Sequence, residues 1–349
     1  MNEEANIPEP RARRRSVFAP IRSCLTCIGC LTVLIVLVPI LLVVLFGSRA
    51  ASTADSLFEE AAVLDGDPKA KQTIAVIEVC GVIVDEPERA WLSAGTANSK
   101  RIVRLIRKAA KDDSVCAIIV DLNTPGGGVT ASDEIRHALA NCGKPVVAMM
   151  NSMAASGGYY VATAARRIVA NPTTLTGSIG VVLRSYNVSK LLTTVSVEPR
   201  ILTSGAQKAM LDPTLPPDKE SIDLAQAIVN EMFQRFARLV ATSRSIPLDK
   251  VLAAPIGDGR VLTGEQALSL NLVDRLGYFT DAVEEAALLA GTSRANCKTI
   301  RWSEEPRFAD FLLSVSGKSG ALNVRLPGLS DGAAFSLPPG RPYYLPASF

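Results

Sequence analysis

The sequence predicts an α/β fold, with a mostly parallel β-sheet covered by helices and one membrane-spanning helix in front of it. Two observations carry this prediction. Between residue 73 and about residue 290, apolar strand-like runs alternate with amphipathic helical segments, the pattern of parallel sheets whose strands are connected by helices. Near the N-terminus, a long uncharged apolar run stands apart from this alternation. No internal repeat is visible, so the alternating part is expected to form one domain.

The apolar run extends from Cys24 to Gly47 without a charged residue. It exceeds the roughly 20 residues that a helix needs to cross a bilayer. A cleaved signal peptide is the alternative, but signal cores are about 7–15 residues long and "FGSRAASTA" matches a cleavage site poorly. Five arginines precede the run (Arg11, Arg13, Arg14, Arg15 and Arg22). By the positive-inside rule, the N-terminus stays in the cytoplasm and the rest lies on the periplasmic side of a bacterial inner membrane.

The composition then divides the chain into five parts. Hydrophobic residues make up 48% of it and the net charge is only +3, which argues against a nucleic-acid-binding protein. Segments rich in Gly, Pro and Ser, as here after residue 315, are typical of loose structure. The predicted parts are a basic tail (1–23), a transmembrane anchor (24–47), a stalk (48–72), a catalytic domain (73–292) and a partly disordered C-terminal extension (293–349).

The elements of the catalytic domain follow from periodicity, taken in chain order. Runs of β-branched and other apolar residues predict strands, whereas apolar residues repeating every three to four positions predict helices. Strands are predicted at 73–84, 115–122, 144–150 and 166–172, and helices at 98–111, after 128 to about 141, 156–165, 218–243 and 281–290.

Two glycine-containing loops are the candidate sites of chemistry. "TPGGG" (Thr124–Gly128) and "SMAASGGYY" (Ser152–Tyr160) each follow a predicted strand and precede a helix. Because consecutive parallel strands end at the same edge of a sheet, the loops are expected to meet there. The first loop lacks the Rossmann and P-loop patterns. It is therefore either a plain turn or a source of N–H groups for an oxyanion.

Ser156 is the candidate nucleophile of the second loop. It lies at a strand-to-helix turn and is followed by Gly157, whose N–H could face a developing oxyanion. Ser152 lies earlier in the loop and has no glycine after it. The alternative for Ser156 is a structural role as the N-cap of the helix, which serine performs well.

The partner of such a serine is not the single histidine of the chain, His137, which the pattern places on the solvated surface of a helix. A Ser–Lys dyad needs only a lysine that is neutral near pH 7, and burial away from other charges favours the neutral amine. The candidates after the loops are Lys190, Lys208, Lys219 and Lys250. Lys208 is favoured because "ILTSGAQKAM" surrounds it with apolar residues.

These motifs resemble the signal peptide peptidase A family of membrane-anchored Ser–Lys proteases (the S49 peptidases). The resemblance rests on "DLNTPGGG", "MAASGGYY", "LTGSIGV" and "SGAQK" in this order, together with "GRVLTGEQALSLNLVDRLG" further on. It covers roughly residues 73–290. One departure is Ala209, where the family commonly has an acidic residue after the lysine.

The resemblance implies a role for each matching residue. Ser156 corresponds to the nucleophile, Lys208 to the general base and Ser178 to the hydroxyl that orients the lysine amine. Gly127 and Gly157 correspond to the oxyanion donors.

The resemblance further implies a ClpP/crotonase-like spiral fold, a homo-oligomer and apolar extended peptide substrates such as cleaved signal peptides or membrane-protein fragments. It implies no metal, no cofactor and no nucleic-acid partner. Two other functions remain open at this point: a catalytically silent membrane scaffold, for which Ala209 is the only hint, and a crotonase-type acyl-CoA enzyme, which the apolar N-terminal run and Lys208 disfavour.

Overall fold

The computed structural model describes residues 58–85, 95–304 and 343–344. The chain divides into two compact units, residues 1–57 and 58–349, and all the described residues belong to the second. Its strands are β1 (Phe58–Gly66), β2 (Gln72–Cys80), β3 (Val82–Val84), β4 (Thr96–Asn98), β5 (Val115–Thr124), β6 (Gly127–Gly128), β7 (Val146–Ala155), β8 (Arg167–Ala170), β9 (Leu175–Gly177), β10 (Val261–Thr263), β11 (Arg275–Leu276), β12 (Cys297–Glu304) and β13 (Tyr343–Tyr344). The helices are α1 (Ser99–Lys111), α2 (Val129–Ala140), α3 (Gly157–Ala162), α4 (Ser189–Thr194), α5 (Lys219–Arg244), α6 (Leu248–Leu252), α7 (Gly264–Ser269) and α8 (Phe279–Leu289).

The strands form two sheets. The larger has the order β1-β12-β2-β5-β7-β8-β11, and β9 and β10 join it beside β7. Its pairs are parallel except for β1 with β12 and β9 with β10. The smaller sheet has the order β13-β6-β3-β4. The predicted α/β fold with a mostly parallel sheet is therefore confirmed.

The main sheet extends beyond the domain boundaries predicted from the sequence. Residues 58–66, assigned above to a stalk, form β1, and residues 297–304, assigned to the C-terminal extension, form β12. The two strands pair antiparallel, and β12 continues the sheet by pairing parallel with β2. The predicted transmembrane segment (24–47) lies outside the described residues. In the part of the chain that the structure describes, no helix is both long and apolar enough to cross a membrane.

The core of the domain lies on both faces of the central strands. On one face, α8 buries Ala282, Val283 and Ala286 against a cluster that includes Ile119 and Val147. On the other face, α1 and α2 bury an apolar stripe, as amphipathic surface helices do; its members are Ile102, Leu105, Ile106, Ile135 and Leu139. Burial on both faces explains why β5 reads in the sequence as a nearly continuous apolar run.

A register shift in β7 positions the loop that follows it. Leu122 of β5 pairs with Met150 of β7, but Thr124 pairs with Ala154, so β7 carries two extra residues between these points. After the shift, β7 pairs with β9 through Met153–Ala155. Such irregularities bend a strand and redirect its end. The end of β7 therefore lies between β5 and β9, with Ala154 paired to both Thr124 and Thr176.

Asp121 lies just before this register shift. Its carboxylate accepts a hydrogen bond from the Asn151 amide, and Glu78 is its pairing partner on β2. Burial, with a smaller contribution from the Glu78 charge, raises the pKa of Asp121 from 3.8 to about 6. The folded protein therefore binds this proton more tightly than the unfolded chain does. The stability that Asp121 contributes is fully present below pH 3.8 and is lost as the pH rises through about 6.

We predict that Asp121→Asn increases the free energy of unfolding at pH 8 by on the order of 1–2 kcal/mol. An asparagine keeps the acceptor for Asn151 but carries no charge that burial could penalise. The gain should be much smaller near pH 4, where the wild-type carboxyl is protonated in the folded protein and about half protonated in the unfolded chain. Urea unfolding at both pH values measures it. An equal gain at pH 4 and pH 8 would contradict the electrostatic explanation.

Candidate active site

Ser156 lies at the turn between β7 and α3 in a backbone conformation that serine rarely adopts. Its φ is 52° and its ψ is −110°. Its N–H donates to the Gly177 carbonyl at 2.8 Å, and its carbonyl accepts from the Tyr160 N–H at 2.8 Å, so the conformation is held from both sides. A residue in a sparsely populated backbone conformation destabilises the folded state by about 1–3 kcal/mol, and such residues cluster at active sites.

The Ser156 hydroxyl is the unusual feature of this turn. The residue is fully buried, and its Oγ has no hydrogen-bond partner among the described residues. The predicted alternative, a helix N-cap role, is not what the structure has, because no side-chain hydrogen bond caps α3. Burying a hydroxyl without a hydrogen-bond partner destabilises the folded state by about 1–3 kcal/mol. Its presence at this position therefore points to a role other than stabilising the fold.

The two glycine loops meet at Ser156, as the sequence predicts. A Cβ atom built on Gly157 would lie 3.0 Å from the Gly127 backbone nitrogen and 3.2 Å from the Gly126 Cα. Gly127 itself packs against the Ile83 backbone, where a Cβ would lie 2.0 Å from the carbonyl oxygen. Both positions therefore require glycine. The backbones of Gly127 and Gly157 lie side by side next to the nucleophile candidate, as an oxyanion hole requires.

The two tyrosines of "SGGYY" anchor α3 behind Ser156. The Tyr159 hydroxyl donates to the Leu272 carbonyl at 2.7 Å. The Tyr160 hydroxyl donates to Asp133 at 2.6 Å and accepts from the Arg235 guanidinium at 3.2 Å. Burial raises the pKa of Tyr160 to about 12, so it stays a neutral donor at physiological pH. Fixing this helix from two sides keeps Ser156 and Gly157 in place.

Ser178 lies next to Ser156 across the β7–β9 pair. Ala155 pairs with Gly177, so the two serines follow directly on neighbouring parallel strands. Ser178 is buried and also has a positive φ, 50°. Its N–H donates to the Arg260 carbonyl at 2.8 Å. The structure thus brings together Ser156, Ser178, Gly127 and Gly157.

Lys208 is the predicted site residue that the structure does not bring to Ser156. It lies in a 3₁₀ turn (Ala206–Ala209), and its side chain is exposed. The turn belongs to a largely exposed stretch between β9 and α5. The role of Lys208 as the base stays a prediction, and it requires that the amine be covered.

His137 is exposed on α2, where its ring contacts the Asn141 amide at 3.3 Å. The prediction that the single histidine lies on a helix surface is therefore confirmed.

Ser132, which sequence reasoning missed, also belongs to this group. It lies on α2, fully buried, and its Oγ has no hydrogen-bond partner in the described part of the chain. A Cβ atom on Gly157 would lie 2.6 Å from this oxygen, so the hydroxyl lies directly against the proposed oxyanion hole. No motif marks it. The one signal in the sequence is its place in the first helical turn after the glycine loop.

We predict that Ser132→Ala lowers kcat about tenfold without lowering stability, because the hydroxyl has no folded-state partner to lose and lies where an oxyanion would form. Ser99→Ala is the matched control, since Ser99 is equally buried but donates to Glu134 at 3.0 Å. That change should lower the free energy of unfolding by about 1 kcal/mol and leave kcat unchanged. Thermal unfolding and steady-state kinetics measure both. A loss of stability in Ser132→Ala matching that in Ser99→Ala would show that Ser132 is structural.

No group of three or more His, Cys, Asp or Glu side chains that could hold a metal ion occurs within the described residues.

The chain has clear relatives among known proteins. A family model for peptidase family S49 matches residues 138–293.

Three curated relatives have similar identity to this chain but differ in how much of their own length it covers. "Putative protease slr0021" of Synechocystis sp. is 38% identical over 63% of this chain and 76% of its own length. Protease 4 of Salmonella typhi is 36% identical over 73% of this chain and 40% of its own length. The chloroplastic serine protease SPPA of Arabidopsis thaliana is 36% identical over 67% of this chain. The chain spans only 35% of that relative, so it corresponds to part of the larger proteins.

Among solved structures, a mutant of ClpP1 from Listeria monocytogenes aligns with a TM-score of 0.39 and 15% identity. The alignment covers 59% of this chain and 93% of that one.

Proposed function

The chain is a member of peptidase family S49, and from this membership we propose that it is a membrane-anchored serine endopeptidase with a Ser156–Lys208 dyad. The observation that carries the proposal is the Ser156 hydroxyl, which is buried, has no hydrogen-bond partner among the described residues and lies beside two closely apposed glycine backbones. A nucleophile is kept free in this way, whereas a structural serine is hydrogen-bonded.

The proposed reaction gives each of these residues a step. The neutral Lys208 amine removes the Ser156 proton as Oγ attacks the carbonyl carbon of a peptide bond. The N–H groups of Gly127 and Gly157 stabilise the resulting oxyanion. The lysine ammonium then protonates the leaving amine, and water hydrolyses the acyl-enzyme with the lysine again acting as base. Ser178 orients the Lys208 amine from the neighbouring strand.

The peptide substrate lies in an extended conformation along β6. One edge of β6 pairs with β3 through Ile83 and Gly127, and the opposite edge pairs with β13, so a peptide strand on that edge takes the place of β13. Addition of a strand to a sheet edge supplies backbone hydrogen bonds whatever the peptide sequence. This suits apolar extended substrates such as cleaved signal peptides or membrane-protein fragments.

A homo-oligomer supplies the cover that Lys208 requires. The stretch that carries Lys208 exposes large apolar side chains: Tyr186 is 72% exposed and Leu202 is 99% exposed. The same stretch also exposes Leu191, Val195 and Val197. Exposed apolar patches of this kind mark protein–protein contacts. Packing of a second copy over this stretch removes water from the Lys208 amine.

The proposed membrane location rests on the uncharged run at 24–47 and the arginines before it. In the proposed topology the catalytic domain is on the periplasmic side. A reporter enzyme fused after Phe349 and active only in the cytoplasm would overturn this topology.

Labelling with a fluorophosphonate probe tests the proposed activity. The probe should modify the purified protein at Ser156, as mass spectrometry of the labelled peptide would show, and Ser156→Ala should remove the label. Ser152→Ala, which changes the exposed serine four residues earlier, should be labelled like the wild type. Labelling that persists in Ser156→Ala would end the assignment, and no labelling of the wild type would favour a silent scaffold.

A further inference from the structure

Helix α1 concentrates positive charge on the surface of the domain. Six of its 13 residues are lysine or arginine, and none is aspartate or glutamate, although the whole chain has a net charge of only +3. Its large apolar side chains are buried in the core: Ile102, Leu105 and Ile106. The apolar face of this helix is therefore already occupied, and its outer face is almost purely cationic.

Four of these cations form one row along α1, at successive spacings of four, three and four residues. All four are exposed, and they are called the basic row below: Lys100, Arg104, Arg107 and Lys111. Residues at these spacings are neighbours on a helix surface, and like charges there destabilise the helix. A partner with negative charge would remove this repulsion, so the basic row is complementary to an anionic surface.

A groove of about 520 Å³ lies between α1 and α2, beside the basic row. From α1 it is lined by Lys100, Arg104 and Arg107, and from α2 by His137 and Asn141. Several apolar side chains complete the lining, among them Val103, Ala110 and Ala138. The groove thus combines a cationic side with an apolar interior, which suits the phosphate and the glycerol backbone of a phospholipid.

Glu134 is the one acidic residue among the described residues that line the groove. Its carboxylate accepts a hydrogen bond from the Ser99 hydroxyl at 3.0 Å. Three cations of the basic row line the same groove, so positive charge predominates there.

The two helices that form the groove begin at the edge of the sheet that holds the candidate active site. α1 leads from β4 to the start of β5, and α2 leads from β6 to the start of β7. Both therefore run antiparallel to the parallel strands, with their N-terminal ends at the edge where Ser156 follows β7. Lys100 lies in the first turn of α1, and Ser132, beside Gly157, lies in the first turn of α2.

Resting on the membrane anchor of the proposed function, we propose that the basic row and its groove dock the catalytic domain on the anionic phospholipid surface of the membrane. Basic residues close to such a surface are attracted to it. An interfacial helix inserts its apolar face into the bilayer, but that face of α1 is buried in the core. The contact is therefore electrostatic, and the anchor makes it intramolecular, so a weak attraction suffices.

Docking by this face brings the active-site edge toward the bilayer. The N-terminal ends of α1 and α2 meet the membrane side by side, and Ser132 and Gly157 lie at the end of α2. A peptide released from the membrane then reaches Ser156 without crossing open solvent. This fits the apolar substrates of the proposed function.

The single histidine of the chain reports whether the groove is covered, because His137 is exposed and lines it. The full chain is reconstituted into nanodiscs of phosphatidylcholine alone or of phosphatidylcholine mixed with anionic phosphatidylglycerol. Mass spectrometry then follows modification of His137 by diethylpyrocarbonate. We expect modification to be about fivefold slower in the anionic discs. The difference should disappear in about 1 M salt, where the Debye length is only about 3 Å.

Removing charge from the basic row tests the residues themselves. The triple variant Lys100→Gln, Arg107→Gln and Lys111→Gln keeps good helix formers at these positions but removes three charges. His137 should then react at the same rate in both kinds of disc. The matched control removes three exposed cations of α5 and α6, changes the net charge equally and should keep the protection: Lys219→Gln, Arg238→Gln and Lys250→Gln.

Equal wild-type rates in the two kinds of disc would overturn the docking. Protection that appears in phosphatidylcholine discs on addition of inorganic phosphate would assign the groove to a soluble phosphate instead. Loss of protection in both triple variants would show a response to net charge and not to the basic row.

Failure of the proposed function is recognised separately. A chain that alkaline carbonate washes from the discs has no membrane anchor, and a chain that the fluorophosphonate does not label has no reactive Ser156. In a chain that stays in the discs and is labelled, an unprotected His137 defeats the docking alone.

Discussion

Ser156→Ala should lower kcat/KM for peptide hydrolysis by at least a thousandfold and at the same time leave the protein as stable as the wild type or more so. The catalytic loss follows because no acyl-enzyme can form without the nucleophile. The gain in stability follows because the hydroxyl is buried without a hydrogen-bond partner in the described structure. Removing such a group recovers its desolvation cost, and we expect the free energy of unfolding to rise by about 1 kcal/mol.

The matched control is Ser152→Ala, which changes an exposed serine on β7, the strand that leads to Ser156. It should change neither kcat/KM nor stability by more than measurement error, since surface substitutions are usually within about 0.5 kcal/mol. Thermal unfolding of the purified proteins and hydrolysis of a fluorogenic peptide measure the two quantities. If Ser156→Ala were destabilising, the hydroxyl would have a structural partner and the free-nucleophile argument would be wrong.

The sequence predicts the position of this serine because a local rule suffices. β5 and β7 are parallel neighbours, so the loops after them emerge at one edge of the sheet, and their glycines could be expected to meet. The structure has this arrangement, with Gly127 beside Gly157. The catalytic roles carried over from the family resemblance are a separate matter and stay predictions.

Features that depend on contacts between distant segments could not be predicted in the same way. β1 reads "FEEAAVLDG", a mixture of acidic and small residues without clean alternation, and only its antiparallel partner β12 makes it a strand. The pairing of β13 with β6 joins two-residue segments, too short for any periodicity to mark. Ser132 belongs to the site only because α2 packs its first turn against Gly157.

Lys208 is a residue whose environment could not be predicted from its neighbours in the sequence. Its apolar sequence neighbours predict a buried amine, but the side chain is exposed, and so is Leu202 in the same stretch, at 99%. Apolar neighbours in a sequence indicate burial somewhere, either within the chain or against a second copy. The sequence alone cannot distinguish the two, and the described residues leave the stretch uncovered.

Lys208→Met should lower kcat for peptide hydrolysis at least a hundredfold, because a general base contributes about 10²–10⁴ to the rate. Lys208→Arg should be equally inactive. Arginine keeps the positive charge but cannot give up its proton in a protein, so it can replace a lysine that binds substrate but not one that acts as a base. Activity retained in Lys208→Arg would assign Lys208 to charge-based binding and leave Ser156 in need of another base.

Lys190→Met is the matched control, since Lys190 is another exposed lysine in the stretch between β9 and α5. It should keep kcat within about twofold of the wild type, as a surface substitution distant from the chemistry does.

The wild-type activity per chain should also fall on dilution, because the Lys208 amine is covered only when a second copy packs on the exposed stretch. Activity that is proportional to concentration down to conditions where light scattering shows only monomer would contradict this account of how the lysine becomes a base.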